Sequence, residues 1–438
     1  MRYVLSALAI SAVLPITATA QDFELDLGFD DAIVFEDVAT AAPVADADID
    51  PESVDDVALE SADLVVDLDP VAGQSSGLPD IKLNLSYAKS DGPGGSANST
   101  KASIILSDSH DLGSLGFLEW EASVDVDDPT GGADVSAELD RVKLQNSSGQ
   151  LSWAVGKFPI GWGEIEGTPV LDILNAGLSL DTIGSETDDL PGQWVAALDY
   201  FGDPFTVSAF VGLDPEVSYG VLSSSPANQM EFGLKASMPV SQGQIAAYAG
   251  RLLPQSAVIA SDASDAIASP FTLVGLSAHK VFGPVLVEAD LAAKFGLDRA
   301  TATGFAKDDR LDGAIGLEYA ISNTTQITAN IAAQYWKDGS AGYLDYGPGG
   351  ALASKRLNAT YQLGVTTSVA NGNISLSGFT GGALDGDTSF LAGQLDWTIS
   401  DALSLNIGVS QLMAQPGSLL EPLDGTRSIT LGATYYFK

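Results

Sequence analysis

From Asp80 onward the chain alternates apolar and polar side chains, residue by residue, in one segment after another. A period of two is the mark of a strand whose two faces meet different surroundings. In the stretch 400–411, Leu403, Leu405, Ile407 and Val409 share one side while Ser404, Asn406, Gly408 and Ser410 share the other. After Pro284, Val285, Val287, Ala289 and Leu291 fall on one face, and the opposite face carries Glu288, Asp290 and Lys294. The polar face therefore tolerates full charge. Each segment runs about ten residues, the length a tilted strand needs to cross a bilayer.

Eighteen such segments are counted, the first near 80–89 and the last near 426–438. Their connections alternate in length. Short ones include Gly202-Asp203, Phe282-Gly283 and Ser400-Asp401, and long ones fall between them at about 159–191, 214–227, 253–270, 296–308, 337–354 and 413–425. Short turns on one side and long loops on the other, with an even strand count, describe a transmembrane barrel whose ends both lie in the periplasm. A soluble sandwich uses the same alternation but shorter strands and more frequent turns. Aromatics separate the two: Tyr87, Trp120, Trp153, Trp194, Tyr200, Tyr319 and Trp397 fall near segment ends on apolar faces, where an interfacial girdle belongs. The expected fold class is all-β, an antiparallel transmembrane β-barrel of about 18 strands, with 16 as the alternative count, covering 80–438.

Two further segments precede it. Arg2, an apolar stretch from Val4 to Ile16 and the small residues Ala18-Thr19-Ala20 form a signal peptide over 1–20, with cleavage expected after Ala20 and export to the bacterial outer membrane; an uncleaved anchor is the competing reading. Residues 21–79 hold 17 Asp and Glu and no Lys, Arg or His. Repulsion among so many carboxylates predicts a disordered periplasmic tail rather than a domain. A plain linker, a divalent-cation buffer and a docking arm for a basic partner all fit it.

Composition excludes several functions. The formal charge is −39, from 58 acidic and 19 basic side chains, so nucleic acid is not an expected partner. There is no cysteine, and the two histidines, His110 and His279, are far apart in sequence, which leaves little for a metal centre. Gly-x-Ser-x-Gly, phosphate-loop, zinc and calcium-loop patterns are absent from the sequence. No catalysis and no cofactor are expected. Glu119 and Glu121 share a strand face and could form a carboxylate pair, but pore lining is the simpler use.

The layout resembles bacterial outer-membrane porins across 80–438, including the near-terminal run Thr434-Tyr435-Tyr436-Phe437, although Lys438 follows where that family usually ends on the aromatic. A second echo is Gly156-Lys157 with Trp162-Gly163-Glu164 and Asp172-Ile173-Leu174-Asn175. The resemblance implies contact with the barrel-assembly machinery, outer-membrane lipid and lipopolysaccharide, and a homotrimer. It also implies that the third long loop, 159–191, folds into the lumen and narrows it. Within that loop Thr168-Pro169 can start a short helix, Val170, Ile173 and Leu174 make an apolar stripe, and Gly177 can end it. An ordinary surface loop is the alternative.

A barrel of this size leaves a lumen that side chains cannot fill, so passive diffusion is the default function. Its charge predicts a cation-leaning channel: from Phe158 to Leu234 there is no base. The proposed constriction comprises Glu164, Glu166, Asp172, Asp181, Glu186, Asp188 and Asp189, and the pore wall Glu119, Glu121, Asp125, Arg141, Lys143 and Lys157. Acids facing bases across the narrowing would create a transverse field, although the alternation near Arg141 slips and suggests a bulge. The loop acids could instead be lipopolysaccharide-side surface bridged by divalent ions. Two other functions remain open: a barrel specific for a sugar-like or apolar solute, recognised by Phe210, Tyr248 or Trp336, and an envelope structural protein acting through its acidic tail.

Overall fold

The computed structural model describes residues 79–438 except 129–131, 166–169, 172–173, 175–191, 216–228, 255–256, 260–264, 302–303, 339–344, 347–351, 354–355, 419 and 438. The expected signal peptide and, apart from Pro79, the acidic tail lie outside the described residues.

Eighteen antiparallel strands close on themselves. They are β1 (Asp80–Gly92), β2 (Gly95–Asp111), β3 (Phe117–Asp127), β4 (Asp134–Ser148), β5 (Leu151–Phe158), β6 (Gln193–Phe201), β7 (Thr206–Asp214), β8 (Glu231–Val240) and β9 (Gly243–Leu252). The remainder are β10 (Phe271–Phe282), β11 (Val285–Thr301), β12 (Gly304–Ser322), β13 (Thr325–Trp336), β14 (Leu357–Val369), β15 (Ile374–Ala383), β16 (Thr388–Ser400), β17 (Leu403–Ala414) and β18 (Arg427–Phe437). Each pairs with the next in sequence, and β18 returns to β1 in a ladder from Ile81↔Phe437 to Asp91↔Arg427. Closure removes the two free edges that an open sheet would present.

The alternation read from sequence is the alternation of outside and inside. One outward row crosses β10 to β14 through Ala278, Ala289, Ile315, Ile331 and Tyr361. Leu276, Leu291, Ile315 and Ile331 on this face are exposed. Exposed apolar side chains continued around a whole barrel are a large uncovered patch in water and an ordinary surface in lipid. Aromatics bound the belt at both edges. Trp194, Phe232, Phe295 and Tyr335 are exposed toward the long-loop edge, and Tyr200, Phe282, Tyr319, Trp397, Tyr435 and Phe437 toward the short-turn edge.

Three local features depart from the expectations or refine them. The stretch 296–308, expected as a long loop, is strand: β11 runs to Thr301 and β12 begins at Gly304, with a bulge between Lys294 and Leu297. Its charges pair across the ladder, Lys307 Nζ to Asp298 at 2.7 Å and Arg299 Nε to Asp308 at 3.1 Å, which is how so polar a stretch forms strand. The first two strands are likewise longer than expected and join in a tight hairpin at Gly92↔Gly95. Near Arg141 the register shifts between Glu121 and Ala122, placing Asp140 at a bulge in β4.

Candidate functional site

The inner face is not used alike all the way round. On β6 to β13 it is packed. Val195, Ala197, Phe210, Ala246, Tyr248, Leu252, Leu273, Ala292, Ala314 and Ala332 are buried, although their strand neighbours face outward. What covers them is the start of the loop after β5. Ile160, Trp162, Ile165, Val170, Leu171 and Leu174 are all buried in the same cluster.

The sequence prepares seats for this loop. Trp162 makes edge-to-face contacts with Phe210 and Tyr248, each at 5.3 Å between ring centroids. A Cβ at Gly233 would collide with the Trp162 ring, and one at Gly275 with Leu171. Both glycines face inward on strands whose other inward positions carry side chains, so they open pockets in the wall where the loop side chains sit. Polar contacts fix the loop's depth. Asp290 on β11 accepts hydrogen bonds from the backbone N–H groups of Glu164, at 3.2 Å, and Ile165, at 3.4 Å. The Glu164 carboxylate accepts from Ser277 Oγ at 3.2 Å and lies 2.7 Å from His279 Nδ1. Tyr248 OH and Ser277 Oγ are 3.0 Å apart. Glu164 and His279 are both largely withdrawn from solvent, so the hydrogen bond between them is worth more than one at the surface.

Toward the long-loop side of β11 and β12, inward charges pair with one another. Asp312 joins Lys294 at 2.7 Å and Arg310 at 2.8 Å, and the Lys294 and Asp312 side chains are each only 1% exposed. The Arg310 guanidinium lies 5.0 Å from the Trp336 ring centre. Above this, Asp298 accepts from Ser269 N at 2.8 Å and Asp308 from Asp338 N at 2.9 Å, so acidic groups also tie neighbouring loops to the wall. Lys337, just past β13, is held charged to higher pH than usual by the hydrogen bond and field of Asp309, 3.2 Å away.

Of the seven acids expected at a constriction, only Glu164 is among the described residues, and it is bound to His279 and Ser277 rather than displayed to open solvent. Glu166, Asp172, Asp181, Glu186, Asp188 and Asp189 lie outside the described residues, as do Thr168, Pro169, Ile173 and Gly177. On the wall, Glu119, Glu121 and Asp125 share the inward face of β3, opposite the outward Trp120 and Val124. Arg141 and Lys143 lie on the neighbouring strand. They are the register partners of Glu121 and Glu119, and Lys101 meets Asp125 at 2.8 Å, so these charges offset one another along a single wall. Lys157 binds Glu138 Oε1 at 3.0 Å and the Leu139 carbonyl at 2.9 Å. Phe210, Tyr248 and Trp336, the aromatics expected to recognise a solute, are packed away: none is more than 3% exposed.

Asp290, His279 and the Lys294–Asp312–Arg310 group escaped the sequence reading as site residues. Inward charge on alternating positions was their signal, visible in Glu288, Asp290 and Lys294, but alternation does not say which inward residues a loop will cover.

The opposite wall, β14 to β18 and β1, is different. Its inward positions are Asn358, Gln362, Gly364, Ser377, Gly381, Ala392, Gln394, Asn406, Gly408, Ser410, Thr430, Gly432, Asn84 and Ser86, with Phe379 and Phe390 among them. Inward charge in these six strands is confined to Asp80, Lys82 and Asp396, all toward the short-turn end. Asn358 and Gly381 are buried, and most of the others are partly exposed.

No protein-family model and no curated protein matches the sequence. Solved structures do match the fold. The chain is similar to Pseudomonas aeruginosa OccK2 (OpdF), with a TM-score of 0.53 and 12% identity, covering 82% of this chain and 97% of that one. It is similar to OpdL of the same organism, with a TM-score of 0.52, 12% identity and 82% and 98% coverage. For OccD3 (OpdP) the TM-score is 0.51, the identity 10% and the coverage 82% and 91%. The closed eighteen-strand meander with an apolar outer belt thus has the fold of these outer-membrane porins.

Proposed function

We propose that the protein is a diffusion channel of the bacterial outer membrane, carrying small hydrophilic solutes along the half of its lumen that the loop leaves open. The observation that supports this is the contrast between the two sides of the same strands: an apolar, aromatic-bounded exterior and an inner wall of hydroxyls, amides and glycines. Hydroxyl and amide groups hydrogen-bond passing water without holding an ion, which suits a wet passage. The loop beginning at Pro159 narrows the lumen from one side, because its apolar side chains occupy the inner faces of β7 to β12. From Asp80 onward the barrel carries 41 acids and 18 bases, and such an excess raises the local concentration of cations over anions. The channel therefore leans toward cations, with the acids of 164–189 at its narrow part. Export behind a signal peptide, insertion by the barrel-assembly machinery and a trimeric assembly belong to the same proposal.

Purified full-length protein in planar bilayers tests it. Stepwise KCl conductance with a cation-preferring reversal potential in a salt gradient is expected. An absence of conductance overturns the channel, and an anion-preferring potential overturns the charge argument alone.

A further inference from the structure

Phe379 on β15 and Phe390 on β16 are the only aromatic side chains on inward positions of the neutral wall apart from Tyr436, which lies near the short-turn end. Their rings meet edge to face, 6.3 Å between centroids at 73°, and both remain partly exposed. Small residues occupy three of the four register positions beside the rings. Phe379 has Gly364 and Ala392 as its register partners, and Phe390 has Gly381 on one side and Leu412 on the other. A Cβ at Gly381 would meet the Phe390 ring at 2.8 Å, so glycine is what lets that ring lie back against the wall. Apart from the apolar Leu412 beside Phe390, the rim of the patch is polar and uncharged: Gln362 pairs with Gly381, Ser410 pairs with Ala392, and Gln394 lies one inward position from Ala392. This arrangement contrasts with Phe210, Tyr248 and Trp336, whose faces are spent on packing.

We propose that Phe379 and Phe390 form a stacking platform for a neutral pyranose sugar moving through the open half of the lumen. The chemistry follows from the surroundings. An aromatic face is electron-rich and attracts the weakly positive C–H groups on the flat side of a sugar ring. The sugar's hydroxyl rim then meets amide and hydroxyl groups that can both donate and accept. A charged solute would find no counter-ion among the inward residues of this part of the wall, which disfavours a carboxylate or an ammonium there. Apolar and aromatic lining with a few convergent polar groups is the usual make-up of a small-molecule site. The platform deepens the channel reading and rests on it.

The test is block of KCl current by maltotriose in single channels of the full-length protein, compared with the Phe379→Leu/Phe390→Leu double variant. Leucine preserves apolar bulk on the wall and removes the ring faces. Saturable block of the wild type is expected, with the variant requiring at least tenfold more sugar while its KCl conductance stays within twofold. Tetraethylammonium and benzoate serve as charged comparators and should block less than the sugar. Conductance without sugar block, block that survives the double substitution, or stronger block by either ion overturns the platform and leaves the channel standing. Absence of KCl conductance overturns both.

Discussion

The two sides of this barrel obey one rule on the outside and two on the inside. Between β6 and β13 the inward residues are sealed under Trp162, Ile165 and Leu171, and their charges find partners such as Lys294 with Asp312. Between β14 and β1 the inward residues are mostly small or amide-bearing and partly exposed, with charge confined to Asp80, Lys82 and Asp396 near the short-turn end. The outer face needs only to be apolar, whereas the inner face divides the work between holding a loop in place and leaving room for solute. That division predicts that substitutions on the packed side change folding or bore, and substitutions on the neutral side change only what passes.

The largest effect should come from Asp312→Ala. It leaves Lys294 and Arg310 buried without the carboxylate they share, and breaking a buried pair from one side costs about 3–5 kcal/mol. Urea-induced unfolding of the barrel in lipid vesicles reads this as a lowered midpoint. Asn406→Ala on the neutral wall is the matched control and should cost less than about 0.5 kcal/mol, as expected of a site away from buried networks. Equal losses at the two positions would erase the distinction between the walls.

Next in size is unseating the loop. Gly233→Leu with Gly275→Leu fills the places of the Trp162 ring and Leu171, so the loop must leave the wall while the strands remain paired. Single-channel KCl conductance should rise about twofold or more, and the heat-modifiable mobility of a folded barrel should persist. Unchanged conductance would mean that the loop does not limit the bore. Ser410→Asp should act more modestly. Its register partners Ala392 and Ser428 carry no charge, so the new carboxylate stands without a counter-ion. At low salt the cation-to-anion permeability ratio should rise about twofold, and the shift should fade as ionic strength shortens the Debye length to about 3 Å near 1 M.

Much of this was legible in the sequence. All eighteen strands, their direction and the outward face follow from alternation, because lipid outside and water inside impose opposite demands on successive residues. The Asp140 bulge showed as a slip in that alternation. The stretch 296–308 was not legible as strand, because Asp298, Arg299, Lys307 and Asp308 look like loop residues one at a time and only their cross-strand pairing makes them strand. The fate of inward residues was beyond the pattern. Phe210 and Phe379 have the same chemistry and the same kind of position, and Trp162, 48 residues upstream of Phe210, packs against the former while the latter stays partly exposed. Alternation records which side a residue faces and carries no information about what arrives there from a distance.

The smallest effect tests the acids of β3. Glu121 faces the lumen, but Arg141 is its partner across the ladder, as Lys143 is for Glu119. An ion in the channel therefore meets opposite charges side by side, whose fields largely cancel beyond a few ångströms. Two unit charges about 4 Å apart at an effective dielectric near 20 interact by roughly 4 kcal/mol, and an ion a Debye length away sees only the small difference between them. Glu121→Gln should lower cation preference by less than about 1.5-fold in reversal-potential measurements, well below the change from Ser410→Asp, even though it removes a native carboxylate. A larger loss would show that the β3 acids act on permeant ions individually. The packed and charged walls would then share in selection, and the division of labour between the two sides would have to be redrawn.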